Sequence, residues 1–208
     1  MKQMLEAEPI EAIYALSRKA LPYFHPKLET LIHPELEVQT WTDDKPTPTY
    51  GFICLGTTRK QAGSKEALEH VDVKLVCEVA SEMKLLGVTR LAVVSSYGAS
   101  SRSLSHYLRC KGKMELTIER MGFEQVVFVR PGPLVGLRDK PRNDELVLQA
   151  VLKVARPLMI GPLRKLIPIH ASDVARAIQY ALFAKEKGHS RIRVLESPDM
   201  LALIERYR

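Results

Sequence analysis

The feature of this chain that most limits its fold is an alternation of short hydrophobic runs with amphipathic stretches of helical period. Residues 50–56, YGFICLG, form a hydrophobic run that ends in glycine, which is typical of a buried parallel strand. Apolar residues then recur every three or four positions from Val71 to Leu86, which predicts a helix that ends near Gly87. Strands that alternate with helices in this way predict an α/β fold with a mainly parallel sheet covered on both faces.

The remaining elements follow the same alternation. Further strands are predicted at 11–18, 36–41, 89–96, 125–132 and 191–197, with a short extended piece at 166–170. Helices are predicted at 105–121, 143–156 and 173–185, and a short one closes the chain. We expect a single domain over 1–208, with a small C-terminal substrate lobe contributed by about 137–170 and 190–208.

The composition narrows the class of protein. With 46% hydrophobic and 26% charged residues, the chain resembles an ordinary globular domain. No apolar run approaches the ~18 residues of a membrane span, and the N-terminus lacks a secretory pattern, so a cytoplasmic location is expected. The three cysteines and six histidines show no familiar ligand spacing, so no metal is predicted. The basic residues that give the net charge of +7 are spread along the chain and mixed with acidic residues. Nucleic-acid binding is therefore not expected.

Polar and small residues follow several of the predicted strands. Parallel sheets bind ligands at the carboxyl ends of their strands, so the segments 17–19, 55–63, 95–100 and 130–136 are candidates for a site. Tyr107 and Lys111 lie four positions apart in a predicted helix and therefore share one of its faces. The pair could point into such a site, or it could belong to a solvated helix face.

Five segments in order carry a resemblance to a known family: CLGTTRKQAGS, VVSSYGA, YLRCKGKME, FVRPGPLVG and IPIHASDVARAI. Together they resemble the atypical short-chain dehydrogenase/reductases, in the branch similar to the oxidoreductase-like Tat-interacting proteins. The resemblance covers residues 5–197. It implies a Rossmann-like, doubly wound sheet that binds NAD(P).

The resemblance also implies roles for the polar residues. In the family a tyrosine acts as general acid/base, a lysine lowers the pKa of that tyrosine and holds the nicotinamide ribose, and a serine orients the substrate carbonyl. These roles fall on Tyr107, Lys111 and either Ser96, the first choice, or Ser95. A free tyrosine has a pKa of about 10, and a nearby ammonium favours its phenolate. The alternative for the two serines is a simple turn at the end of a strand.

Cofactor contacts are implied at three of the loops. Ser17, Arg18 and Lys19 follow the strand whose end selects between cofactors, and two cations without a carboxylate favour NADP(H) over NAD(H). A solvated basic turn is the alternative. The LGTT segment, Leu55, Gly56, Thr57 and Thr58, is expected to pass beside the adenosine side of the cofactor. Arg130, Pro131 and Gly132 are expected to flank the nicotinamide, although Arg130 could instead be a buried ion-pair partner.

The front of the chain departs from the family pattern. The family opens with a strand and a Gly-x-x-Gly-x-x-Gly loop that binds the pyrophosphate, and residues 1–19 show no such segment. Truncation of a longer protein is the favoured interpretation. A form without dinucleotide activity and a lineage that replaced the loop are the alternatives. The missing strand would be central, so its loss is expected to leave two sheet edges unpaired.

The leading functional hypothesis is an NADP-binding oxidoreductase that reduces an unknown carbonyl substrate. The alternative is a non-catalytic regulatory member that keeps the fold and binds a protein partner. The Ser/Tyr/Lys set favours the enzyme, and the absent Gly-rich loop favours the alternative.

Overall fold

The computed structural model describes residues 1–42, 44–135, 161–184 and 190–207, with the backbone alone at 161–163. The strands are β1 (Ile13–Ser17), β2 (Leu28–Ile32), β3 (Tyr50–Ile53), β4 (Arg90–Val94), β5 (Gln125–Arg130), β6 (Leu134–Val135), β7 (Ile169–His170) and β8 (Ile192–Glu196). The α-helices are α1 (Lys2–Leu5), α2 (Arg59–Ala62), α3 (Lys65–Glu69), α4 (Val76–Leu85), α5 (His106–Glu119), α6 (Ala171–Phe183) and α7 (Ser197–Arg206). A π-helical segment, His70–Leu75, joins α3 to α4, and a 3₁₀ segment spans Gly161–Leu166.

The main sheet is parallel and has four strands in the order β3-β4-β5-β8. Its two central strands, RLAVV and QVVFVR, are buried along most of their length because helices cover both faces. One apolar layer joins the sheet to α4 and α5 through residues such as Val79, Met114 and Phe128. The other layer joins it to α6 and α7. The predicted α/β fold class, a Rossmann-like parallel sheet between helices, is confirmed.

Strands β1 and β2 form a separate two-stranded parallel sheet. Among the described strands, no backbone ladder joins either of them to the main sheet. The pair is attached through side chains: Leu16 packs against the core layer of α4 and α5, and the Tyr14 ring meets Trp41 edge-on at 4.6 Å. The division of the sheet that the sequence predicted is therefore present in the described residues.

The strand predicted at 36–41 is wrong, and the sequence analysis missed β2 at Leu28–Ile32. Leu36 has a left-handed φ of 59°, which no strand residue adopts. The amide of Val38 donates to the Glu82 carboxylate of α4 at 2.9 Å, not to a neighbouring strand. The segment is a connection tied down by side chains, so its hydrophobic residues serve packing.

The small C-terminal lobe expected from about 137–170 and 190–208 stays a prediction. Within it, strand β8 pairs with β5 in the main sheet, and α7 contributes Met200, Leu203 and Ile204 to the core beside α6. Residues 192–206 therefore pack with the main sheet. The helix predicted at 143–156 lies outside the described residues. No described helix combines the length and the hydrophobicity that crossing a membrane requires.

Candidate active site at the carboxyl edge of the main sheet

Helix α5 is held directly against the loop that follows β4. The contact depends on Gly112: a Cβ atom there would lie 2.1 Å from the backbone carbonyl carbon of Ser100. The Ser100 amide donates to the Leu108 carbonyl at 3.1 Å, and the Arg109 guanidinium donates to the Ser103 carbonyl at 2.7 Å. The elements that carry the predicted serines and the predicted Tyr-Lys pair are thus docked together.

Lys111 is buried in an ion pair. Its Nζ lies 2.5 Å from Asp72 Oδ1, and the two side chains are 4% and 0% exposed. The same Nζ lies 6.0 Å from the centroid of the Tyr107 ring. Tyr107 itself is partly exposed. The helical spacing therefore brings Tyr107 and Lys111 together, and the Asp72 carboxylate holds the lysine amine in place.

Asp72 is the residue of the site that the sequence analysis missed. It lies in the π-helical segment between α3 and α4, and such segments are frequent at functional sites. A signal was present: Asp72 is followed at three, four and seven positions by Leu75, Val76 and Val79, all of which are buried. A carboxylate on the apolar stripe of a helix needs a buried partner, and Lys111 is that partner.

Gly56 borders the ion pair. A Cβ atom at Gly56 would lie 3.1 Å from Asp72 Oδ1 and 3.2 Å from Lys111 Nζ. The amide of the next residue, Thr57, donates to Asp72 Oδ2 at 3.3 Å. The loop after β3 is therefore fixed to the π-helical segment and to α5 at one point. Its backbone at the exposed Gly56 is open to a ligand.

Two buried side-chain atoms in the described residues have no hydrogen-bond partner: Asp72 Oδ1 and Ser95 Oγ. Asp72 Oδ1 is nevertheless ion-paired, because it lies 2.5 Å from Lys111 Nζ. Ser95 follows β4 and is 5% exposed, whereas the Ser96 hydroxyl donates to the Tyr97 carbonyl at 3.4 Å. Buried polar groups are normally paired, so a polar ligand atom at the end of β4 would satisfy the Ser95 hydroxyl.

The predicted residues on the adenosine side are more dispersed. Ser17 lies at the end of β1 with its hydroxyl donating to the Lys19 carbonyl at 2.7 Å, and Arg18 and Lys19 are exposed. Thr58 caps α2, its hydroxyl accepting from the Gln61 amide at 3.3 Å. Leu55 is partly buried against the core layer of α4 and α5. These residues lie at carboxyl ends of strands, but on two different sheets.

After β5, all three predicted cofactor residues have protein partners. Arg130 donates to Glu115 with both Nε and Nη2, and this carboxylate raises the pKa of the guanidinium. That is the ion pair which the sequence left open as the alternative for Arg130. The Gly132 amide donates to the buried Ser197 hydroxyl at 2.9 Å. Pro131 is buried, and its carbonyl accepts from the Tyr97 amide at 3.1 Å, which ties the two loops together.

The fold defines a class: a Rossmann-like α/β domain with polar groups at the carboxyl edge of its parallel sheet. Solved structures with this fold agree. MoeE5 in complex with UDP-glucuronic acid and NAD has a TM-score of 0.60 and 18% identity, over 90% of this chain and 68% of that one. RMD from Pseudomonas aeruginosa complexed with NADPH has a TM-score of 0.55 and 15% identity, over 89% of this chain and 74% of that one. At these identities the likeness establishes the fold.

Sequence relatives identify the family. The HIM1 family model matches residues 51–159. The mitochondrial protein FMP52 of Chaetomium globosum is 32% identical over 210 aligned positions, covering 96% of this chain and 88% of that protein. FMP52 of Eremothecium gossypii is 28% identical, covering 99% of this chain and 91% of that protein. The chain belongs to the FMP52 family.

These relatives bear on the expected cellular location and on the expected branch of the family. The cytoplasmic location expected from the lack of targeting signals is wrong, because the family members are named mitochondrial proteins. That expectation rested only on the lack of a membrane span and of a secretory pattern, and the lack of these signals does not identify a compartment. The likeness to the Tat-interacting branch stays a prediction.

Proposed function

We propose that this chain binds a nicotinamide dinucleotide at the carboxyl edge of β3 and β4 and reduces a carbonyl substrate with NADPH. The observation that carries the proposal is the buried Ser95 hydroxyl without a hydrogen-bond partner after β4, together with the buried Asp72–Lys111 ion pair beside Gly56. Structures with the same fold hold NAD or NADPH, and this supports a dinucleotide as the ligand.

The chain's own residues divide the work as follows. The backbone at Gly56 gives the dinucleotide close access, and Lys111 binds its ribose hydroxyls. The bound dinucleotide supplies the hydride. The Tyr107 hydroxyl transfers the proton to the substrate oxygen, and Ser95 donates a hydrogen bond to that oxygen. We assign this role to Ser95, not to the initially favoured Ser96, because its hydroxyl is the buried one without a partner.

Asp72 is a positioning residue in this scheme. Its carboxylate holds the Lys111 amine against Gly56, so the lysine needs no reorganisation when the cofactor binds. A flexible lysine would lose side-chain entropy on binding, and the ion pair has already removed that freedom.

The preference for NADPH rests on Arg18 and Lys19, which are exposed at the end of β1 and can bind a 2′-phosphate. Arg18→Ala should weaken NADPH binding by about tenfold and leave NADH binding nearly unchanged. Arg120→Ala removes an exposed cation after α5 and serves as the matched control. Fluorescence titration of both cofactors measures the effect. Equal losses for NADPH and NADH would remove Arg18 from the phosphate site.

Catalysis is tested at Tyr107. Tyr107→Phe should lower turnover of a carbonyl substrate by about 10²- to 10⁴-fold, because it removes the hydroxyl that carries the proton, while cofactor affinity is kept. Tyr50→Phe is the control, since Tyr50 is the first residue of β3 and lies at the amino-terminal end of the strand, away from the candidate site. A screen of aldehydes and ketones with NADPH absorbance provides the assay. A Tyr107→Phe protein with full turnover would exclude the acid/base role.

The burial of Lys111 favours a second function, that of a non-catalytic protein with the same fold. The amine is 4% exposed in its side chain and already paired, as expected of a structural ion pair in a member that keeps the fold without chemistry. Such a protein would act through a protein partner. Binding of NADPH without turnover on any carbonyl in the screen would favour this function.

We also propose a mitochondrial location, supported by the names of the family members. Fractionation of cells that express the tagged protein, with markers for mitochondria and cytosol, tests it. Recovery in the cytosolic fraction alone would contradict the proposal.

A further inference from the structure

A mixed cluster of side chains lies between α3 and α5, beside the candidate active site. Glu69 is the last residue of α3, and His106 and Cys110 lie one turn apart at the start of α5. A carboxylate oxygen, an imidazole nitrogen and the thiol sulfur all lie within 4.8 Å of one another. Neither the dinucleotide site nor the proposed reaction uses any of the three.

The distances within the cluster are close to those of a tetrahedral zinc site. Zinc bonds of about 2.3 Å to sulfur and about 2.0 Å to nitrogen hold two tetrahedral ligands roughly 3.5 Å apart. His106 Nε2 lies 3.6 Å from Cys110 Sγ. It also lies 3.2 Å from the Lys65 carbonyl oxygen, which offers a further ligand. A Glu69 carboxylate oxygen lies within 4.8 Å of both the imidazole nitrogen and the sulfur.

We propose that Glu69, His106 and Cys110 bind a zinc ion that clamps α3 to α5. The ligand set favours zinc over magnesium or calcium, because thiolate and imidazole are poor ligands for hard cations. Cys110 is 1% exposed while Glu69 and His106 are partly exposed, so the ion would enter from the surface and meet the sulfur last. The sequence analysis predicted no metal because Glu69 lies 37 residues before His106 and joins it only in the fold.

Two cationic side chains next to the cluster, Lys113 and Arg109, disfavour zinc binding by charge repulsion. Lys113 Nζ lies 2.7 Å from Glu69 Oε1, but both side chains are exposed by 40% or more, so the pair is weak and easily displaced. Arg109 Nη2 lies 3.4 Å from His106 Nδ1, and its other nitrogen, Nη1, is held by the Ser103 carbonyl at 2.7 Å. Arg109 can therefore release the imidazole without losing its main partner.

Zinc binds cysteine as the thiolate, so binding at this site releases the Cys110 proton. The cluster is close in sequence to both members of the Asp72–Lys111 pair. Glu69 is three residues before Asp72, and Cys110 directly precedes Lys111. A bound ion would hold together the two elements that carry that pair.

The test uses the full chain and the metals alone. One equivalent of Co²⁺ should give a thiolate-to-cobalt charge-transfer band in the near ultraviolet and the visible bands of tetrahedral cobalt, and Zn²⁺ should abolish both. Cys110→Ser should lose the charge-transfer band. Cys54→Ser, which removes an exposed thiol outside the cluster, should keep it. Absence of the band, or its loss in Cys54→Ser with retention in Cys110→Ser, overturns the proposal.

Variants that leave the buried sulfur intact cover the case in which Cys110→Ser does not fold. His106→Gln and Glu69→Gln should each weaken zinc binding by roughly tenfold or more, measured by competition with a chromogenic chelator. Lys113→Ala should tighten zinc binding by up to about fivefold, because it frees Glu69. Unchanged zinc affinity in both His106→Gln and Glu69→Gln overturns the site.

Discussion

Two of the three described sheets, the four-stranded sheet and the β1–β2 pair, are built from the same kind of strand but are stabilised differently. In the four-stranded sheet, β4 and β5 are buried on both faces and pair on both edges. In the β1–β2 sheet, Ile13 of β1 is buried with 8% of its surface exposed, and β2 has no buried residue. A two-stranded sheet is marginal by itself, so β1 and β2 depend on side chains from neighbouring segments.

This difference divides the candidate site into two parts. Tyr107, Lys111, Asp72 and Ser95 are fixed by the main sheet and the helices on it. Arg18 and Lys19 follow β1 of the smaller sheet, which no described backbone ladder joins to the main one. We therefore expect the proposed catalytic groups to be rigid and the groups proposed for the 2′-phosphate to be less firmly placed.

The largest contrast should come from the buried ion pair of the main sheet. Asp72→Ala leaves the Lys111 charge buried without a partner, and such changes cost about 3–5 kcal/mol of unfolding free energy. Urea denaturation measures the loss. Asp72→Asn, which keeps the shape and the acceptor for the Thr57 amide, should cost less. A loss below about 1 kcal/mol for Asp72→Ala would mean that the pair is hydrated and the main sheet less rigid than described.

Amide hydrogen exchange compares the two sheets directly. Amides of β4 and β5 should exchange by global unfolding, whereas those of β1 and β2 should open locally and exchange on the order of 100-fold faster. Mass spectrometry of peptides from each strand gives the rates. Equal protection of both sheets would show that they unfold as one unit.

The docking of α5 is tested at Gly112. Alanine normally stabilises a helix by about 1 kcal/mol relative to glycine, but here its Cβ would overlap the Ser100 backbone. Gly112→Ala should therefore destabilise the protein by about 1–3 kcal/mol. Thermal melting gives the sign of the effect. A higher melting temperature in Gly112→Ala would show that α5 can move away from the loop.

The smallest effect is expected for an exposed ion pair of the two-stranded sheet. Lys45 Nζ lies 2.5 Å from Glu29 Oε1, and the side chains are 23% and 46% exposed. Glu29→Gln should change the unfolding free energy by less than about 1 kcal/mol, because water screens the pair. The same urea experiment applies. A loss as large as that of Asp72→Ala would remove the distinction between the sheets.

The sequence by itself determined the parallel α/β architecture, because hydrophobic runs and helical periodicity are local patterns that burial on both faces requires. It also paired Tyr107 with Lys111, since four residues along a helix bring side chains to one face. β2 was missed and a strand at 36–41 was predicted instead, because Leu36 and Val38 owe their positions to α4 and not to strand pairing.

Only the tertiary structure decided which polar groups meet. Asp72 and Lys111 are 39 residues apart in sequence, and Glu115 and Arg130 are 15 apart on different elements, so no local pattern pairs them. Whether Ser95 or Ser96 is buried depends on which one the loop turns inward after β4. Contacts between distant residues are set by packing in three dimensions, and the Glu69–His106–Cys110 cluster exists for the same reason.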